Sequence, residues 1–255
     1  MPPAPGLVDI HCHLLPGVDD GVETLAQTVE LLQVAHRQGT RRMVTTPHMF
    51  HPQFANNNAA AIRQSFAAFK NELSEIARRR ELGFLREMRV DLGAENHVSA
   101  EFLEALERGE TLSMNMSDHM LIEFSGFATF DQALSAVERV REAGYRPILA
   151  HIERYPVLHE RPGRLEGLVE AGAILQINAQ SLLHWGGGPR RRCFDLLRNG
   201  LAQIVASDAH NTADRGPNLG PVREVLAKKF GHERARAWLS ERPAQALDSP
   251  RPPTA

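Results

Sequence analysis

The sequence predicts an α/β fold, a barrel of about seven βα units around a mostly parallel sheet. Short apolar runs alternate with longer stretches of helical period along the 255 residues. Seven of these runs end in, or just before, a polar residue, and most of those polar residues are His, Asp or Glu. Seven strands interleaved with helices fit a barrel, slightly short of the usual eight, better than an open doubly wound sheet.

The first two βα units have clear boundaries. Residues 7–10 form an apolar run that predicts strand one, and residues 25–36 repeat apolar side chains along one stripe of a helix. Thr24 is the predicted N-cap of this helix, and Gly39 is expected to end it. Residues 43–46 then predict strand two.

The middle of the chain continues the alternation. Residues 56–80 form the longest helical stretch, and residues 100–108 predict a short helix. Strands three and four are predicted at 89–94 and 120–123 from their apolar runs. The apolar stripe of the long helix has helical spacing, at Ile62, Phe66, Phe69, Leu73 and Ile76.

The remaining units repeat the pattern to the end of the barrel. A helix is predicted at 130–142, and Gly144 is its expected end. Because no second domain or internal repeat is visible, we expect residues 1–248 to form a single domain and residues 249–255 a flexible tail. The other predicted strands are 147–150, 174–177 and 202–206, and the other predicted helices are 163–170, 193–198, 221–230 and 233–240.

The composition excludes several classes of protein. The net charge is −2, from 29 basic and 31 acidic residues, so no basic surplus points to a nucleic-acid partner. No apolar run approaches the roughly 18 residues of a membrane span, so we expect no direct membrane insertion. Two cysteines, Cys12 and Cys193, cannot form a disulfide framework, and the first residues lack the pattern of a signal peptide. We therefore expect a soluble, cytoplasmic protein.

The end of strand one carries the first candidate metal ligands. Because side chains alternate along a strand, His11 and His13 face one side and Cys12 faces the other. Two imidazoles at this spacing can hold a divalent ion, and Asp9 behind them could orient one ring. Considered alone, the pair is explained equally well by a hydrogen-bonded strand end. Cys12 is expected to be a small packed thiol rather than a nucleophile.

Two adjacent acids, Asp19 and Asp20, lie in the loop after strand one. Either carboxylate could reach an ion at the mouth of the barrel. Either could instead cap the helix that starts near Thr24.

Five further strand ends carry one or two side chains of ligand type. A carboxylate directly after buried residues is costly to desolvate unless it meets a cation. One of these acids, Asp208, could instead fold back on its own backbone in a turn. So many such groups at strand ends together predict a metal site that includes His48, Glu95, Glu123, His151, Asp208 and His210.

Longer motifs give these residues a specific context. Asp9 begins the motif DIHCHLLPGVDDG, and the motifs TPH, GAE, IEF, AHIERY and ASDAHN follow from residues 46, 93, 122, 150 and 206. In this order they resemble the bacterial manganese-dependent protein-tyrosine phosphatases of the polymerase and histidinol phosphatase (PHP) superfamily. The resemblance covers about residues 8–243. It implies a distorted (β/α)7, TIM-like barrel with its metal site at the C-terminal ends of the strands.

The resemblance also implies the site and its chemistry. The site would be trinuclear, with Glu95 bridging ions and a metal-bridging hydroxide attacking phosphotyrosine. Arg154 and Arg215 match the phosphate-facing arginines. The relatives act on autophosphorylated tyrosine kinases that control capsule and exopolysaccharide synthesis, which implies a phosphotyrosine protein, a kinase tail, as the partner. The implied metal ligands are His11, His13, Asp20, His48, Glu95, Glu123, His151, Asp208 and His210.

The ligand types favour Mn²⁺ over Zn²⁺, because carboxylates accompany the imidazoles and no thiolate is included. Fe²⁺, Zn²⁺ or Mg²⁺ would fit the same ligands. Two features depart from the relatives. Asn96 and His97 follow Glu95 where relatives tend to carry apolar or aromatic residues, and residues 183–192 are rich in Gly and Arg. The Gly/Arg-rich part, residues 186–192, could dock a phosphopeptide or another anionic tail, but we expect it to form a mobile solvated loop.

Other mechanisms and functions fit the residues less well. A cysteine-dependent phosphatase needs an Arg at a fixed spacing after its Cys, and Val18 and Asn199 stand at that place after Cys12 and Cys193. No P-loop motif is present. The alternatives are a phosphoesterase for a small metabolite such as histidinol phosphate, and a catalytically silent binding module. The silent binding module is the weaker alternative, because none of the nine ligand positions holds an Ala, Ser or Gly.

Overall fold

The strands form two parallel sheets. The computed structural model describes residues 6–78, 80–161, 163–183 and 187–250. One sheet has the order β1-β2-β4 and the other has the order β3-β5-β6-β7-β8-β9, and all pairings between these strands are parallel. The strands are β1 (Leu7–Cys12), β2 (Thr40–Thr45), β3 (His48–Met49), β4 (Arg89–Leu92), β5 (Glu95–His97), β6 (His119–Glu123), β7 (Arg146–Leu149), β8 (Ile174–Asn178) and β9 (Ala202–Ala206).

Two of the predicted strands, at residues 43–46 and 89–94, are each followed after a short break by a further short strand, β3 and β5, that was not predicted. β2 ends just before Thr46 and Pro47, and proline has no N–H to donate to a neighbouring strand. The next break lies at Gly93, where a Cβ atom would lie 2.8 Å from the sulfur of Met114 and 3.2 Å from Val44 Cγ1, so any larger residue would require these side chains to shift. Pairing resumes beyond both breaks, with His48 opposite Glu95. The breaks therefore bring two predicted ligands side by side.

The first and last strands meet through the segment that follows β9. The backbone N–H of Asp208 donates to His11 O at 2.8 Å, and that of His13 donates to Ala209 O at 2.8 Å. The N–H of Ser207 also donates to a carboxylate oxygen of Asp9 at 3.0 Å. These bonds link the two sheets in a distorted, barrel-like arrangement, which confirms the predicted fold class.

The helices lie between the strands, as predicted, and cover the barrel from outside. None of them, in the part of the chain that the structure describes, is long and apolar enough to cross a membrane. They are α1 (Leu25–Arg37), α2 (Ala59–Ile76), α3 (Ala100–Glu107), α4 (Phe130–Glu142), α5 (Arg164–Glu170), α6 (Ala179–Leu183), α7 (Gly188–Arg198), α8 (Leu219–Phe230), α9 (His232–Arg236) and α10 (Arg242–Asp248).

Helix starts follow their capping residues. Thr24 caps α1 as predicted: its hydroxyl accepts from Gln27 N, and the Gln27 side chain accepts from Thr24 N in return. The predicted bounds of α2, residues 56–80, were too wide. The side chain of Asn58 accepts from Ala61 N and caps the helix, which begins at Ala59. α2 ends at Ile76, and a 3-10 segment, Arg80–Glu87, follows.

The Gly/Arg-rich segment is not a loop throughout, so that prediction was wrong for residues 188–192. α7 begins at Gly188, with Pro189 in its first turn, and continues to Arg198. Residue 186 lies outside the described residues. Proline in the first turn costs no hydrogen bond, because the first N–H groups of a helix have no intrahelical partner.

α10 covers the N-terminal ends of the strands. Asp118 N, just before β6, donates to Ser249 O at 3.2 Å, and Ser117 pairs with Pro250. Residues 251–255 of the predicted tail lie outside the described residues. Ala246 and Leu247 pack in one buried cluster with strand residues. With this end covered, the opposite, C-terminal end of the strands is left for a site.

His119, at the start of β6, is expected to make folding stability depend on pH. Burial lowers the pKa of this imidazole, and the carboxylate of Asp118 opposes that shift only in part. The folded protein thus binds this proton more weakly than the unfolded chain does. The contribution of His119 to the free energy of unfolding is therefore fully present above about pH 6.5 and decreases as the pH falls below that value. Thermal unfolding of wild type and His119→Gln between pH 7.5 and 5 should show a smaller loss in the variant. An equal loss would contradict this role.

Candidate metal centre

All nine predicted ligands lie together at the C-terminal ends of the strands. Glu95 is at the centre of the group and is 1% exposed. One of its oxygens lies 3.3 Å from His11 Nε2, 3.5 Å from His13 Nε2 and 3.2 Å from His48 Nδ1. The other oxygen lies 2.8 Å from His151 Nε2. Burial alone would raise the pKa of Glu95, but these imidazoles hold it well below its ordinary value.

Asp20 approaches the cluster from the loop after β1. Its Oδ1 atom lies 3.1 Å from His210 Nε2 and 3.4 Å from His48 Nε2. Helix α1 is capped by Thr24, so the alternative of Asp20 as a helix cap is wrong. Asp19, its neighbour, accepts from His13 Nδ1 at 2.6 Å and from His48 N at 3.0 Å.

Asp208 and His151 have strained backbones at the site. Their φ angles are +55° and +33°, in the left-handed region that non-glycine residues rarely adopt. The Asp208 carboxylate lies 3.4 Å from His11 Nε2 and accepts from Asn178 Nδ2 at 2.7 Å. It does not fold back on its own backbone, so the turn alternative is wrong. Glu123 completes the group, with Oε1 3.2 Å from His48 Nδ1.

Four of the imidazoles are oriented by a hydrogen bond at Nδ1. The partner atoms are Gln176 Oε1 for His11, Asp19 Oδ2 for His13, Tyr155 OH for His151 and the backbone oxygen of Asp208 for His210. A bond at Nδ1 leaves Nε2 to face the cluster, which is how proteins fix metal-binding histidines. Asp9 was expected to orient a ring, but its carboxylate instead bonds backbone N–H groups of His11 and Ser207.

Sequence reasoning missed Gln176 as part of the site. It lies in β8 between apolar residues and is fully buried, and it also accepts from His151 N at 3.1 Å. A buried amide inside an apolar strand needs partners, so its position was a usable signal. Asn178, from the same strand, donates to Asp208 Oδ2.

The cluster fits divalent metal ions. Three buried ring nitrogens, His11 Nε2, His13 Nε2 and His48 Nδ1, have no hydrogen-bond partner within the described residues. Although burial opposes charge, Asp19 raises the pKa of His13 to about 10, and Asp20 and Glu123 raise that of His48 to about 11. The negative charge that holds these protons also attracts cations. One ligand atom from each member lies within 4.8 Å of the others in three groups: His13, Asp20, His48 and His210; His11, His13 and Asp208; and His48, Glu95 and Glu123.

The two predicted phosphate-binding arginines flank the cluster on its solvent side. Arg154 follows His151 in a short 3-10 helix, and its Nη1 atom lies 3.0 Å from Asp208 Oδ2. Arg215 contacts Asp20 at 3.2 Å and Asp208 at 3.4 Å. Their side chains are 46% and 37% exposed. A guanidinium has five N–H donors, so both arginines keep donors for an incoming anion.

Cys12 lies outside this chemistry, as predicted. Its thiol is fully buried and donates to Val44 O at 3.1 Å. Burial raises its pKa well above the ordinary value, so the reactive thiolate is disfavoured.

Asp19→Asn is expected to weaken metal binding by about 10- to 100-fold, the usual effect of losing a carboxylate that orients a ligand histidine. The amide keeps the shape of the side chain but loses the charge that makes His13 a stronger base. Equilibrium dialysis of the metal-free protein against Mn²⁺ measures the change. Asp131→Asn, an exposed acid at the start of α4, is the control. Unchanged affinity in Asp19→Asn would contradict the role of Asp19.

Comparison with known proteins places these residues in a family context. The family profile described as capsular polysaccharide synthesis, CpsB/CapC, matches residues 7–248. Tyrosine-protein phosphatase CpsB of Streptococcus pneumoniae is 29% identical over 247 residues, which cover 94% of this chain and 98% of that protein. Tyrosine-protein phosphatase YwqE of Bacillus subtilis is 33% identical over 232 residues, which cover 89% of this chain and 86% of that protein.

Solved structures agree with the sequence comparison. A structure from a study of YwqE and CpsB, described there as unique metal-dependent tyrosine phosphatases, matches with a TM-score of 0.85 at 31% identity. The match covers 96% of this chain and 95% of that chain. A phosphotriesterase homology protein from Escherichia coli matches with a TM-score of 0.59 at 12% identity, covering 96% and 99% of the two chains, which supports the barrel fold alone.

Proposed function

The chain belongs to the CpsB/CapC family, and we propose that it is a metal-dependent phosphatase that hydrolyses phosphotyrosine in proteins. The observation that carries this proposal is the buried carboxylate of Glu95 in contact with four imidazoles, beside two partly exposed arginines. A cluster of cation ligands next to anion-binding groups suits a phosphate monoester, whose two negative charges must be neutralised before a nucleophile approaches.

The nine clustered side chains would hold the metal ions. When bound, divalent ions would neutralise the ester and lower the pKa of a water from about 15.7 towards neutrality. The mixture of carboxylates and imidazoles favours Mn²⁺, and we propose three ions, the number that the resemblance to the phosphatase family implies. Glu95 contacts members of all three groups of ligand atoms, which supports its role as a bridging ligand.

The arginines would bind and orient the phosphoryl group. Arg154 and Arg215 both pair with Asp208, which places their guanidinium groups beside the cluster before substrate arrives. Their remaining N–H groups can donate to phosphoryl oxygens. These hydrogen bonds become stronger as negative charge moves onto the oxygens in the transition state. Tyrosine leaves as a phenol with a pKa of about 10, so a proton donor for the leaving group is less necessary and none is assigned.

The substrate class follows from the family. The relatives are named tyrosine-protein phosphatases, and the family is described by capsular polysaccharide synthesis. We propose a bacterial tyrosine kinase that controls capsule or exopolysaccharide synthesis as the partner, with its phosphorylated tail as the substrate. The net charge of −2 gives no support to a nucleic-acid substrate. The cytoplasmic location inferred from the two cysteines stays a prediction.

Phosphate release tests this function directly. Metal-stripped protein is assayed with and without Mn²⁺ on a phosphotyrosine peptide and on histidinol phosphate at equal concentration. We expect Mn²⁺-dependent release mainly from the peptide. Preference for histidinol phosphate would overturn the proposal in favour of a metabolic phosphatase, and no release from either would favour a silent binding module.

A further inference from the structure

Two histidines outside the predicted ligand set lie beside it. His97 is two residues after Glu95 in β5, so strand alternation places both side chains on the same face. The side chain of its neighbour Asn96 is used in the backbone, because its amide nitrogen donates to the backbone oxygens of Ala94, Leu112 and Leu121. His97 is therefore the member of the unusual Asn96-His97 pair that points to the site.

The second histidine is brought back to the site by a turn. His51 follows β3, and the preceding residue, Phe50, has a φ of +62°. The His51 ring lies 4.9 Å from the His48 ring and 5.0 Å from the His97 ring, centre to centre. His51 Nδ1 accepts from Gln53 N at 3.2 Å, so its Nε2 atom is the one left to bind a ligand.

Glu123 links the two histidines to the main cluster. Its Oε1 atom lies 3.2 Å from His97 Nδ1 and also 3.2 Å from His48 Nδ1. One ligand atom each from His51, His97 and Glu123 lies within 4.8 Å of the others. The side chains of His97 and Glu123 are 13% and 10% exposed, so this outer group is partly shielded from solvent.

We propose that His51, His97 and Glu123 form an accessory binding site for one zinc ion. This site lies beside the nine-residue cluster and shares only Glu123 with it. Two imidazoles, one carboxylate and an open position make a recurrent zinc ligand set. The site has one carboxylate for two imidazoles, whereas the main cluster has four carboxylates for five imidazoles. This imidazole-rich composition favours Zn²⁺ over Mn²⁺.

The shared carboxylate couples the two sites. A zinc ion on Glu123 Oε1 would compete with the interaction of that oxygen with His48. This consequence, unlike the binding itself, rests on the proposed phosphatase function. We expect Zn²⁺ added to the Mn²⁺-loaded enzyme to lower kcat/KM by about tenfold or more, the scale of disturbing a metal ligand, and the loss to be smaller in His97→Gln. Equal inhibition in both would overturn the coupling.

Counting bound zinc tests the site without relying on activity. Untagged wild type, His51→Ala/His97→Ala and His97→Gln are loaded with Mn²⁺, dialysed against Zn²⁺, and analysed for both metals. We expect the double variant to hold one zinc ion fewer per chain than wild type. His232→Ala, an exposed histidine in α9, controls for adventitious imidazole binding and should match wild type. Thermal unfolding verifies that each variant is folded, and His97→Gln leaves the turn at His51 intact.

Every outcome is decisive. Equal zinc content in wild type and the double variant would overturn the site. Loss of more than one metal ion would also overturn it as a separate site, because the two histidines would then belong to the main cluster. Zinc-soaked crystals should show anomalous density about 2.0–2.1 Å from both rings, and a peak elsewhere alone would contradict the proposal. Wild type could lack phosphatase activity and still bind one zinc ion more than the double variant. That result would refute the proposed function but support the accessory zinc site.

Discussion

Glu95→Gln is expected to lose at least one divalent ion per chain and to lower kcat/KM for a phosphotyrosine peptide by about 10³-fold, the scale of removing a central electrostatic group. The substitution keeps the shape of the side chain but removes its negative charge. Glu95 is 1% exposed and contacts four imidazoles. A neutral amide there offers one oxygen in place of two, so it cannot bridge ions in the way a carboxylate does.

Metal content and rate are measured on the same preparations of this variant. Glu170→Gln, an exposed acid at the end of α5, is the matched control and should behave as wild type. Mn²⁺ should raise the unfolding temperature of wild type more than that of Glu95→Gln, because only ions bound to the folded state stabilise it. Full metal content with an unchanged rate would show that Glu95 merely balances the charge of the imidazoles.

The positions of the ligands could be predicted because they follow from strand geometry. Parallel strands present their C-terminal ends at one edge, so His48, Glu95 and Glu123 meet although they are far apart in sequence. Alternation along β1 likewise placed His11 and His13 on one side and Cys12 on the other. These rules depend on backbone direction alone.

The groups that orient the ligands were harder to predict, because their roles depend on distances of a few tenths of an ångström. Sequence left Asp19 and Asp20 equivalent, whereas the structure gives Asp19 to His13 and Asp20 to His48 and His210. Asp9 has the residue type of an orienting acid but bonds the backbone that joins β1 to the segment after β9. Only the fold decides which side chain reaches which nitrogen.

The predicted ends of helices were wrong where local capping residues, and not the spacing of apolar residues, determine where a helix begins. The apolar stripe of α2 is real, yet the helix starts at the Asn58 cap and not at the first residue of the pattern. α7 shows the opposite error, since Pro189 and the arginines continue a helix in place of the expected loop. Proline and glycine predict helix starts as well as turns.

Arg154→Ala is expected to lower kcat for the phosphotyrosine peptide by about 10²- to 10³-fold, the usual effect of losing one donor to the transition state, while binding as much metal as wild type. Arg154 lies 3.0 Å from Asp208 Oδ2 and is nearly half exposed. It is a cation beside a predicted metal ligand, so it competes with metal ions for that carboxylate. Its removal therefore leaves metal affinity unchanged or higher. Arg154→Lys keeps the charge without the planar fork and should be intermediate.

Metal retention is what separates this role from a structural one. Arg198, which pairs with Asp195 on the surface of α7, provides a matched arginine, and Arg198→Ala should change neither metal content nor rate. A loss of metal in Arg154→Ala would mean that the guanidinium holds Asp208 in place for the ions. A rate loss with full metal content, appearing in kcat more than in KM, would mean that Arg154 acts on the phosphoryl group as its charge redistributes. Since Asp208 also holds Arg215 at 3.4 Å, the losses in the two single arginine variants and in the double variant should not add.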